Sequence, residues 1–105
     1  MRRSEVWWAA LPKPAGPRPV VLVSRDDAYA VRDFVMVAPV TSRIRRIFSE
    51  VPLGTQEGLR KDCVVNLDSL ETIPKGWLQQ RISSLPATKM LEIDEALRYA
   101  LGLRD

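Results

Sequence analysis

Arg18 stands between Pro17 and Pro19, where a loop gives way to the apolar run Val20-Val21-Leu22-Val23. Proline fixes its own φ and pushes the preceding residue to extended geometry, so this arginine projects its planar guanidinium from a stiff base. A permanently charged fork of that kind suits bidentate phosphate recognition. A second apolar run, Phe34 to Val40, ends in Thr41-Ser42 and sets two hydroxyls at a strand end. If the two runs are sheet neighbours, Arg18 and Thr41 share a cleft. The competing reading is that Arg18 decorates a strand start and Thr41 fills an ordinary β position. Directly after Thr41, Arg43-Ile44-Arg45-Arg46 adds three arginines. On an extended strand Arg43 and Arg45 point the same way and would track phosphates leading to the cleft, although a solvated charged loop also accounts for such a run.

Composition limits the chemistry available. With no histidine in the chain, a histidine acid/base pair, a Ser/His or Cys/His dyad and the usual zinc sites are all excluded. Cys63 is the only cysteine, so neither an intrachain disulfide nor a thiolate metal cluster can form, and a reducing cytoplasm fits. Catalysis must use arginine, hydroxyls and carboxylates, with no metal and no cofactor expected. Sixteen basic against thirteen acidic residues give a net charge of +3, which favours polyanionic partners. Twelve of the sixteen are arginine, a bias that phosphate contacts and an arginine-rich genome explain equally. The apolar run Val6 to Leu11 is too short for a signal peptide and no segment reaches membrane-spanning length, so a cytoplasmic chain is expected.

The elements that must position these residues are mostly strands. The 105 residues make one domain, and 46% hydrophobic content lets it bury roughly two-thirds of its unfolded surface. Val6–Leu11, Val20–Ser24, Phe34–Ser42, Val51–Leu53, Val64–Leu67, Leu70–Ile73 and Gln80–Leu85 read as short strands of a strongly bent sheet. Leu11 to Pro19 holds four prolines and a glycine and reads as a stiffened loop carrying Lys13, and Asp26 to Arg32 reads as a helical turn. Met90, Ile93, Leu97, Ala100 and Leu101 recur at helical spacing, with Gly102 as the stop, and predict a helix covering one sheet face, with Leu97 central. Trp7 and Trp8 are neighbours and must face opposite sides. One is expected under that helix; the other, with Trp77, needs a second small core, a dimer partner or a ligand surface.

Arg3-Ser4-Glu5-Val6-Trp7-Trp8-Ala9, Arg18-Pro19-Val20-Val21-Leu22-Val23-Ser24, Val37-Ala38-Pro39-Val40-Thr41-Ser42 and Asp62 to Ile73 follow one another in an order and spacing that resembles the MazF/PemK-like toxins of bacterial toxin–antitoxin systems. The likeness spans nearly the whole chain, residues 1–105 as a single domain of that kind. It implies a β-rich α+β fold, a small twisted antiparallel β-barrel with a C-terminal helix packed on the sheet, and a homodimer. It also implies a sequence-selective, metal-independent endoribonuclease acting on single-stranded RNA through 2′-hydroxyl attack. The family's catalytic arginine and threonine fall on Arg18 and Thr41. In the plasmid-borne branch a catalytic arginine and aspartate fall on Asn66 and Asp68, of which only the aspartate is kept. Asp68 is thus a candidate base, while Asn66, Asp68 and Ser69 equally suit a turn between two short strands. Ser42, Arg43, Arg45, Arg46, Asn66, Ser69 and Lys13 are the candidate RNA contacts. The implied partner is an antitoxin whose acidic, disordered C-terminal segment wraps the toxin.

The chain departs from the family pattern at Ser4, where glycine is common, at Ala10, where an acid is common, and in the short Pro12 to Pro17 loop, which lacks a glutamate. Two other classes share the architecture. One is the gyrase-poison toxins, whose target-binding helix ends in an aromatic signature absent from Ala100-Leu101-Gly102-Leu103-Arg104-Asp105. The other is a noncatalytic RNA- or peptide-binding barrel, which would need no pairing of Arg18 with Thr41.

Overall fold

The computed structural model describes residues 1–103, so Arg104 and Asp105 lie outside the described residues. Seven antiparallel strands form the sheet: β1 (Glu5–Ala9), β2 (Arg18–Leu22), β3 (Phe34–Thr41), β4 (Glu50–Leu53), β5 (Cys63–Asn66), β6 (Glu71–Pro74) and β7 (Leu78–Ser84). A short helix α1 (Ala28–Val31) occupies the expected helical turn, and α2 (Ala87–Leu101) is the C-terminal helix. The order is β4-β5-β3-β2-β1-β7, with β6 also on β3. Among the described residues no pairing joins β4 to β7, so the sheet stays open, and the expected barrel is corrected to a bent, unclosed sheet.

β3 is the hub. Its first half, Phe34 to Val37, pairs with β6, and its last residues, Val40 and Thr41, pair with β5. Pro39 lies between the two pairings, at a place where a missing N–H breaks no ladder on that side. On its other edge β3 takes β2, with Val20 opposite Pro39 and Leu22 opposite Val37. Arg18 and Thr41 therefore stand on adjacent strands.

Both faces of the bent sheet are covered. Val6, Val21, Ala38, Val40 and Val65 form one core with Met90, Ile93 and Ala96 of α2. Val20, Leu22, Val35, Val37 and Ile73 form a second, capped by the half-buried Trp7 and Trp77. Strand alternation explains the split, since Val20 and Leu22 point to one side of β2 and Val21 to the other. The tryptophans correct the expectation: neither packs under α2. Within α2 the fully buried centre of the apolar stripe is Ile93, while Leu97 is only partly buried at its margin. Gly102 ends the helix at φ +70°, its N–H returning to the Arg98 and Tyr99 carbonyls.

The two ends of the chain meet. β1 lies between β2 and β7, and Arg3 donates to the Val23 carbonyl and the Asp94 carboxylate, tying the first residues to α2.

Candidate active site

The strand pairing brings Arg18, Thr41 and Ser42 onto one cavity of about 580 Å³. Arg18 opens β2 opposite Ala9 and is half-buried. Its Nη2 donates to the Ala15 carbonyl, so the proline-rich loop holds one arm of the guanidinium. Its Nε is buried and has no partner among the described residues. Thr41 closes β3 opposite Val64, and its Oγ1 accepts the Arg43 backbone N–H at 3.1 Å. Ser42 follows on the exposed rim.

The opposite wall comes from the loop between β4 and β5, through Gly58, Leu59, Arg60 and Lys61. Gly58 adopts φ +85°, and a Cβ there would sit 3.2 Å from the Ser83 Cβ, so the turn requires glycine both for its conformation and for its approach to β7. The Ser83 hydroxyl donates to the Glu57 carbonyl and fastens the loop to the sheet. Trp8 and Ile82 complete the lining on the β1–β7 side. The charged residues of the wall are Arg18, Arg60 and Lys61, with no carboxylate among them. Arg60, Lys61 and Trp8 are missing from the sequence-derived candidates. The paired cations just after Gly58 were the available signal, but a loop has no periodicity from which to assign a facing.

Cys63 lies at the cavity's buried side. Burial, reinforced by the charges of Asp62 and Glu57, pushes its thiol above the ordinary range, so it is a neutral packing group at neutral pH.

The other candidates stand elsewhere. Beyond Thr41 the strand ends, and residues 43–47 form a loop rather than the extended strand expected for Arg43 and Arg45. The loop wraps the Glu50 carboxylate, whose side chain is 1% exposed. Glu50 accepts the backbone N–H groups of Arg45 and Arg46 at 2.8 and 3.2 Å, and the Arg45 guanidinium at 3.4 Å. A buried carboxylate needs such donors, and this requirement sets the course of the arginine run. Arg43 is exposed beside the cavity rather than lining it. Asn66 is buried and its side chain accepts the Asp68 N–H at 2.9 Å. The Asp68 carboxylate takes the Ser49 hydroxyl, and neither it nor the exposed Ser69 lines the cavity. Lys13 borders a separate hollow with Trp77 and Thr72.

The Glu5 carboxylate organises the start of β1. It accepts the Trp7 indole N–H at 2.9 Å and the Arg2 N–H at 3.1 Å. Burial alone would raise its pKa, but these bonds together with the positive charges of the amino terminus and Arg81 bring it below the usual carboxylate value.

A family model described as "PemK-like, MazF-like toxin of type II toxin-antitoxin system" matches residues 2–101. The chain belongs to this toxin family. It is 36% identical over 103 residues to the probable endoribonuclease MazF2 of Mycobacterium tuberculosis, covering 97% of this chain and 99% of that one. To the probable endoribonuclease MazF5 of the same species it is 38% identical over 100 residues, 94% of this chain and 91% of the relative. Its fold matches the M. tuberculosis toxin MazF-mt6 with a TM-score of 0.89 at 31% identity, over 96% and 99% of the two chains. It also matches a mycobacterial endoribonuclease solved with its cognate antitoxin, with a TM-score of 0.87 at 27% identity over 100% and 98%. The MazF/PemK-like resemblance read from the sequence is thus correct, and the mostly antiparallel sheet with a C-terminal helix is the MazF architecture.

Proposed function

We propose that this MazF-like endoribonuclease toxin cuts single-stranded RNA in the cavity beside Arg18 and Thr41, by attack of the substrate's own 2′-hydroxyl. The observation that carries the reading is the state of Arg18. One arm is held by Ala15 while the buried Nε has no partner, in a wall whose charges are all positive. A buried N–H left open is costly until a ligand takes it, and a phosphate oxygen is the acceptor such a wall attracts.

The 2′-oxygen forms a bond to phosphorus as the 5′-oxygen leaves. The proton lost by the first is matched by one gained at the second, and no water is consumed. The products carry 2′,3′-cyclic phosphate and 5′-hydroxyl ends. Arg18 stabilises the charge that builds on the phosphorane. Thr41 already accepts the Arg43 N–H, so its own hydrogen is left to donate to a nonbridging oxygen or to orient the 2′-hydroxyl. The nucleophile is the substrate's own hydroxyl and needs no metal to generate it. Arg60, Lys61 and Ser42 take flanking phosphates. Asp68, engaged with Ser49, enters as a brace of the β5–β6 corner.

An end-labelled RNA assay tests this. Cleavage should survive EDTA, and a substrate with a single 2′-deoxy sugar just 5′ of the cut should stay whole. Arg18→Ala, Arg18→Lys and Thr41→Val should each slow cleavage about 10²–10³-fold. Cutting at the deoxy site, or near wild-type rates from Arg18→Ala, overturns the assignment.

As a type II toxin the chain pairs with an antitoxin, and an acidic, disordered C-terminal segment laid over the cationic cavity is the partner its charge suits. A second copy is the partner suited to a different face. Phe48 is 81% exposed and Tyr99 62%, with ring centroids 5.7 Å apart. Glu92 and Glu95 line the same groove, while Arg45 and Arg46 lead into Ile47 and Phe48. An apolar centre flanked by both signs of charge complements itself across a two-fold axis. No helix among the described residues is long and apolar enough to cross a membrane, and the buried free thiol of Cys63 suits a reducing cytoplasm.

A further inference from the structure

The three tryptophans of the chain have different fates. Trp7 is pinned through its indole N–H to Glu5 and packs on the second core, and Trp77 packs on the same core. Trp8 faces the other way, is 39% exposed, and its indole N–H has no hydrogen-bond partner among the described residues. The pinning of Trp7 leaves Trp8 no choice of side on β1, because neighbours on a strand alternate. Trp8 therefore stands in the wall of the cavity that also holds Arg18 and Thr41.

Leaving an indole open to water forfeits the stabilisation that its burial would bring, and an exposed aromatic beside a catalytic arginine calls for an occupant. Such an occupant has to offer a flat aromatic surface and negative charge together, since the wall's charged residues are Arg18, Arg60 and Lys61. A nucleotide offers both. We infer that Trp8 is the stacking platform for the nucleobase next to the scissile phosphate, and so governs how tightly this toxin holds its RNA. The inference rests on the RNA reading of the cavity given above. Stacking accepts any base, so Trp8 sets affinity, and the choice of sequence is left to groups that bond base edges.

The test uses the full-length toxin with an RNA oligonucleotide spanning a cleavage site mapped on total RNA, blocked by one 2′-deoxy sugar. Binding should quench tryptophan fluorescence in the wild type, and the quench should be lost in Trp8→Phe. Trp8→Leu, which keeps apolar bulk without the aromatic plane, should raise Kd about 5- to 150-fold, and Trp8→Phe should recover much of that loss. The dependence of log Kd on log salt should be unchanged in Trp8→Leu, because an indole neutralises no phosphate, whereas Arg60→Ala should flatten it.

Wild-type affinity in Trp8→Leu, or a quench that persists in Trp8→Phe, overturns the inference. So does a variant that binds RNA normally and loses affinity only for an acidic peptide, which would assign Trp8 to the antitoxin. If Trp8→Leu fails to fold, the quench and the Trp8→Phe affinity decide. The cavity reading fails separately, through an unimpaired Arg18→Ala, and would do so whatever Trp8 does.

Discussion

Ser4 adopts φ +91°, in the left-handed region that glycine tolerates and other residues enter at a cost. Its N–H reaches the Leu22 carbonyl at 3.0 Å and its carbonyl takes the Leu85 N–H at 2.9 Å, so neighbouring chain on both sides holds the strained conformation. This is the position where the family pattern favours glycine, and the backbone gives the reason. Ser4→Gly should raise stability by about 0.5–1 kcal/mol, the relief of strain exceeding the extra freedom glycine gives the unfolded chain. An unchanged or lower midpoint in chemical denaturation would show that the serine is not strained. Arg18 and Thr41 were legible in the sequence because each marks the end of an apolar run. Arg43, Arg45 and Arg46 were not. What decides their course is Glu50, a single downstream acid whose burial demands donors, and local spacing carries no sign of that demand.

At the scale of elements, α2 is held through one turn more than the others. Ile93 is fully buried between the sheet and the helix, whereas Leu91 is largely exposed. Ile93→Ala should cost about 2–5 kcal/mol, Leu97→Ala less, and Leu91→Ala within about 0.5 kcal/mol, read from denaturant unfolding. Equal losses at Ile93 and Leu91 would mean the helix docks on another face. All seven strands were visible as short runs of apolar or β-branched residues separated by proline, glycine and polar turns, with valine in β1 to β5 and none in β6 or β7, and the helix through its 3.6-residue repeat. The strand ends shifted by at most two residues, and β2 stops at Leu22 because the Ser24 hydroxyl takes over the Met36 N–H at 2.7 Å. That the sheet stays open rather than closing into a barrel was not legible, since pairing or its absence between distant edges leaves no trace in periodicity. The wall built by Arg60 and Lys61 escaped for a related reason, because its place depends on how Gly58 packs against β7.

At the scale of the whole molecule, the cavity and the Phe48–Tyr99 face are separate surfaces, built from different strands. A two-fold assembly through the aromatic face therefore leaves both cavities open. Light scattering should give a particle twice the chain mass of 11.9 kDa, and Phe48→Glu should reduce it to a single chain. An unchanged mass in that variant would move the interface elsewhere.

β1 finds its second neighbour in β7, and Arg3 finds Asp94, so the earliest residues wait on the latest for their contacts. The cavity walls run from Trp8 to Ile82. Synthesis proceeds from the amino end, and a nascent chain that has not reached β7 lacks the wall that Ile82 supplies. The cavity is complete only once β7 has been made and has paired with β1. Until that pairing forms, a nascent chain has no complete cavity to turn on the message being read.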